Sequence, residues 1–138
     1  MILFFVEDKK PYFLVPYISG RGKELKIPTR KKTAEETDIE CAAKSVPRSI
    51  KIKDQNIYVR EQLEREKQLK ITLDFENSKT TYFLRRIPTD ITKKPDVKKY
   101  VFIDIENEFA RSLLQENELK ILEQANKEIL GIEKNENI

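Results

Sequence analysis

Two groups of carboxylates follow apolar runs: Asp74 and Glu76 in LDFEN, and Asp104, Glu106 and Glu108 in FIDIENE. Acids gathered at strand ends can hold magnesium for phosphodiester chemistry, because a hard cation prefers oxygen ligands. Glu7 and Lys9, just after MILFFV, repeat the Glu-x-Lys end of a nuclease strand, but that arrangement needs a further aspartate upstream, and only six residues precede Glu7. A magnesium-dependent nuclease is therefore the third reading. Glycoside hydrolysis would need two carboxylates facing each other in an aromatic-rich cleft; nothing places them so, and tryptophan is absent. Histidine is also absent and Cys41 is the only cysteine, which excludes disulfides within the chain, tetrahedral zinc sites and histidine-dependent triads. Cys41 itself, in DIECAAK, reads as a small buried residue on a helix. No Walker loop, dinucleotide fingerprint or nucleophile elbow occurs, SGRGKE lacking the spacing, and no cofactor is expected.

Cations carry the stronger signal. From residue 21 to 32, RGKELKIPTRKK holds Arg21, Lys23, Lys26, Arg30, Lys31 and Lys32 against Glu24 alone. Lys51 and Lys53 alternate with isoleucines farther on, and Lys70 and Arg85 share one expected hairpin face with Phe83. Lysine and arginine neutralise phosphates and release counterions, and an exposed aromatic stacks on an unpaired base. The charge is uneven: residues 100–138 hold nine acids against four bases, a balance of −5, which leaves residues 1–99 at +8 of a total of +3. Such asymmetry suggests an anionic partner for one part of the chain. The alternative for the basic run is a solvated mobile loop.

The elements that must position these residues follow from periodicity. In 69–87, LKITLDFENSKTTYFLRRI, Leu69, Ile71, Leu73 and Phe75 alternate with Lys70, Thr72 and Asp74, placing the apolar set on one strand face. A turn at Asn77 and Ser78 would pair Phe75 with Thr80, Leu73 with Tyr82 and Ile71 with Leu84. The opposite face then carries Lys70, Thr72, Asp74, Thr81, Phe83 and Arg85. Residues 2–6 and 12–18 are apolar runs that can form a second hairpin, with Pro11 and Pro16 pushing its second strand towards a sheet edge or a bulge. Thr33 and Glu36 match a capping box opening a helix over 34–46, with Ile39, Ala42, Ala43 and Val46 as its stripe and Pro47 as its stop. Residues 48–59 read as a strand pair or a strand leading into a helix, 60–68 as a helical turn or two, and 88–99 as an exposed connection. A strand over 100–105 precedes a helix from about 107 to 130, where Phe109, Leu113, Leu114, Ile121, Leu122, Ala125 and Ile129 form a drifting stripe. Asn117 is a candidate interruption and Gly131 a candidate end.

The expected architecture is thus an α+β domain over 1–131, a mostly antiparallel sheet of five to seven strands with one short helix and a longer C-terminal helix, followed by a flexible tail over 132–138. No apolar run approaches the roughly 18 residues of a membrane span, and MILFFV is too short and lacks the basic leader of a signal peptide, so a cytoplasmic protein is expected. The leading functional expectation is non-enzymatic nucleic-acid binding through the basic loop and one hairpin face. The composition, rich in lysine, isoleucine, asparagine and glutamate, fits a low-GC source such as a bacterium or its mobile elements. The second expectation is a protein-interaction or assembly subunit that uses the C-terminal helix to bind a protein partner or a second copy of itself.

Overall fold

The computed structural model describes residues 1–17, 24–46, 69–75, 78–87 and 100–136, the side chains of 132–136 excepted. The expectations for 48–68 and for 88–99 lie outside the described residues. β1 (Ile2–Glu7) and β2 (Lys10–Pro16) form the first hairpin. Asp8 and Lys9 turn it with φ of 50° and 64°, the left-handed backbone whose twist matches the flanking strands in a two-residue hairpin. β3 (Lys70–Phe75) and β4 (Ser78–Arg86) form the second hairpin, and β5 (Tyr100–Ile103) pairs antiparallel with β2. The strand order is β3-β4-β1-β2-β5, and the β1–β4 pairing is parallel. The fold is α+β, with a mixed, mostly antiparallel sheet.

Both hairpins correct the sequence reading. β2 is an interior strand, although it contains two prolines. Pro11 lies beyond the last β5 pair, Phe13↔Ile103, and Pro16 beyond the last β1 pair, Leu3↔Leu14, so each missing amide falls where one ladder has already ended. The β3–β4 register is Phe75↔Ser78, Leu73↔Thr80 and Ile71↔Tyr82, two residues away from the one expected. A slip of two returns every side chain to its own face, so alternation excludes odd registers and is silent between even ones. The observed register sets Thr72 against Thr81, with their hydroxyl oxygens 3.1 Å apart.

The sheet is covered on both faces. On one, Phe4, Phe13, Val15, Leu84 and Ile103 pack against Ile121, Leu122, Ala125 and Ile129 of the long helix. On the other, Leu3, Leu14, Phe83 and Ile87 meet Ile39, Ala42 and Ala43 of α1 (Asp38–Lys44). α1 starts four residues later than the capping box predicted, because Thr37, not Thr33, is its cap and accepts the Glu40 amide at 3.2 Å. Thr37-x-x-Glu40 is itself a capping-box pattern.

The C-terminal stripe is divided between two helices, α2 (Glu108–Ser112) and α3 (Glu116–Glu136), with the break at 113–115 and none at Asn117. Asn107 caps α2 through the Ala110 amide, and Arg111 ties α2 back by donating to the Ile105 carbonyl and to Glu123 at 2.8 Å. Gly131 does not end the helix, which runs on to Glu136. Among the described residues no helix is long and apolar enough to cross a membrane.

Candidate functional site

β1 pairs with β4 only over Ile2↔Leu84, Leu3↔Arg85 and Phe4↔Arg86. The Leu84 amide donates to the Leu69 carbonyl and the Ile87 amide to the Phe4 carbonyl, both at 2.9 Å. Backbone groups alternate sides along a strand, so the even residues Thr80 and Tyr82 face β3, whereas Lys79 and Thr81 face the other way, ahead of the first β1 pair. Among the described residues no strand pairs with them there. Beside this half-edge runs a groove of about 630 Å³, with Ser78–Phe83 as one wall and residues 28–32, Met1 and α1 residues Asp38, Cys41 and Ala42 as the other.

The opposing wall is held by one carboxylate. Glu36, its side chain 4% exposed, accepts from Arg30 at 2.6 Å, from the Thr33 amide at 2.9 Å and from Lys44 at 3.2 Å. The Thr33–Glu36 pattern therefore does half of what a capping box does, but in a turn ahead of the helix. It pins residues 30–33 to α1. The Arg30 hydrogen bond, then that of the Thr33 amide, with Lys44, hold the Glu36 carboxyl at about 2 against the opposing effect of burial. Lys32 pairs with Asp38 at 2.8 Å in an exposed contact, and Lys32 is the first cause of the lowered Asp38 pKa. No ion pair engages Lys31 or Lys79 among the described residues. Cys41 is buried, with its thiol 3.4 Å from the Arg30 carbonyl, in keeping with the structural role read from its surroundings.

A carboxyl whose folded pKa lies below its unfolded value stabilises the fold above the unfolded value, and that stabilisation is lost as pH falls towards the folded one. The Glu36 contribution is therefore complete above about 4.5 and disappears towards 2. Urea midpoints followed from neutral pH into this window should fall more steeply for the wild type than for Glu36→Gln. Asp38, shifted the same way, and Glu118, which burial shifts up, are common to both proteins and cancel. Equal slopes would show that Glu36 does not hold the wall.

The structure brings together part of the predicted cationic set. Arg30, Lys31 and Lys32 line the groove, and Lys70, exposed on the α1 side, acts on the Asp38 carboxylate. Lys26 does not line it: its neighbours Leu25 and Ile27 are buried on the α3 side, and its charge acts on Glu118. Phe83 and Arg85 are corrections, because at 3% and 2% exposure they are interior residues of the α1-covered face, and Phe83 offers no open ring for stacking. Arg21, Lys23, Lys51 and Lys53 lie outside the described residues. The described part of the chain holds 15 Lys and Arg against 17 Asp and Glu, and the remaining 44 residues hold 12 against 7. The positive excess therefore does not belong to the described fold.

The structure describes four of the five carboxylates considered for magnesium in the two strand-end groups, Glu76 lying outside the described residues. Asp104 accepts the Glu106 amide at 3.0 Å, Glu106 pairs with Lys10 at 3.6 Å, Glu108 lies in the first turn of α2, and Asp74 stands opposite Lys79. Among the described residues no group of three potential ligands comes together around a metal position. Sequence reasoning missed Lys79 and the backbone edge at Thr81, since nothing in the strand itself signals where its neighbour begins. No family model matches the chain, and no curated protein matches it.

Proposed function

We propose that the chain is a non-enzymatic protein-interaction subunit that captures an extended segment of a partner by strand addition along β4. The observation that carries this reading is the half-edge at Lys79 and Thr81, which no strand pairs among the described residues and which the groove borders. A row of alternating amide donors and carbonyl acceptors is complementary to another extended backbone, which gains main-chain bonds to β4 and pockets for alternate side chains. The interaction surface expected on the C-terminal helix moves accordingly, because Ile121 and Ile129 are spent in the chain's own core at 3% and 2% exposure.

Thr81 supplies the test. Its amide faces the groove, so Thr81→Pro removes an edge donor without taking a bond from the β3 ladder. Displayed random peptides selected on the wild-type protein should include binders that weaken about tenfold or more on Thr81→Pro, a loss of roughly 1.4 kcal/mol. A selection that enriches nothing, or only peptides indifferent to Thr81→Pro, sinks the proposal.

Nucleic-acid binding is the second reading, favoured by the consecutive exposed cations Arg30, Lys31 and Lys32 on the groove wall. It predicts oligonucleotide affinity that declines with salt and disappears in Lys31→Glu/Lys32→Glu.

A further inference from the structure

We infer that the segment entering the β4 groove is an acidic peptide; this rests on the strand-addition reading and names the chemistry of its partner. The charged side chains lining the groove are Arg30, Lys31, Lys32, Lys79 and Asp38, four cations and one carboxylate. The described fold as a whole has more acids than bases, so this concentration of positive charge is local. The four cations differ in what they offer. Arg30 is committed to the buried Glu36 and belongs to the frame of the wall. Lys32 is held by Asp38 in a pair whose side chains are 50% and 68% exposed, and an exposed pair of this kind contributes little and exchanges readily. An incoming carboxylate can replace Asp38 on Lys32, while Lys31 and Lys79 meet the segment directly. Carboxylates on the partner thus complement the wall, and lysines there are repelled by it.

The same edge selects a peptide over a polyphosphate. Phosphates would be drawn to the amides of Lys79 and Thr81, but the carbonyls of the same residues present negative dipoles beside them. A peptide strand bonds to both. Ser78–Tyr82 extends about 16 Å at roughly 3.3 Å per residue, enough for a strand of about five residues.

The test uses capped, fluorescein-labelled peptides of about eight residues that alternate glutamate with valine or lysine with valine, and a thymidine oligonucleotide, in about 50 mM salt. The expected result is acidic-peptide binding at least about tenfold tighter than that of the basic one, reversed in preference by Lys31→Glu/Lys32→Glu and weakened by Thr81→Pro. Both lysines are exposed, so their reversal leaves the core untouched. Equal binding of the two peptides that still depends on Thr81 overturns the acidic partner and leaves strand addition standing. Peptide binding insensitive to Thr81→Pro, or no peptide binding below about 1 mM, overturns both. Binding of the oligonucleotide alone also overturns both and transfers the groove to the nucleic-acid reading.

Discussion

Phe83→Ala is expected to cost about 3–5 kcal/mol of folding stability, the range for removing a buried aromatic ring. Phe83 stands on the β4 face covered by α1, 3% exposed, clustered with Leu3, Leu14, Ile39 and Ala42. Its removal opens a cavity between a strand that β3 pairs up to Phe83 and β1 from Leu84 onward and a helix only seven residues long. Neither can close the gap without disturbing the sheet or the Glu36 wall. With a urea dependence of about 1–3 kcal/mol per molar, the midpoint should fall by one molar or more. An exposed stacking ring, as expected from the hairpin pattern, would leave the midpoint nearly unchanged under the same substitution. The measurement therefore separates an interior Phe83 from a ligand-binding one without any ligand.

Leu122→Ala is the second large effect, about 2–5 kcal/mol, and it needs Leu113→Ala as its companion. Leu122 of α3 is 0% exposed against the sheet, whereas Leu113, at the end of α2, is 46% exposed beside Phe109 at 75%. Leu113→Ala should stay within about 0.5 kcal/mol. The two leucines belong to one stripe in the linear pattern, and their costs should differ severalfold because the break at 113–115 turns the two helices to different surroundings. Comparable losses at both positions would mean that a single continuous helix covers the sheet.

Chemistry and pattern made several features legible. Residues 2–6 and 12–18 announced a hairpin, and it formed. Alternation through Leu69, Ile71 and Leu73 assigned the faces of β3 correctly but left its pairing open by two residues. The aliphatic spacing of Ile121, Leu122, Ala125 and Ile129 defined the buried side of α3. Three readings failed for local reasons that only neighbours resolve: Phe83 is covered by α1, the prolines of β2 sit where ladders end, and Thr37 competes with Thr33 for the cap.

The sequence by itself determined the α+β class, the alternation of strand faces and the lack of any histidine side chain or cysteine pair for chemistry, since periodicity and composition act locally and need no knowledge of partners. Tertiary structure alone decided that β1 meets β4 only from Leu84 onward, that Glu36 gathers Arg30 and Lys44, and that Lys31, Lys32 and Lys79 border one groove. Those outcomes depend on where separate segments stop beside each other, and the free energy of such an arrangement is shared among residues far apart in the chain.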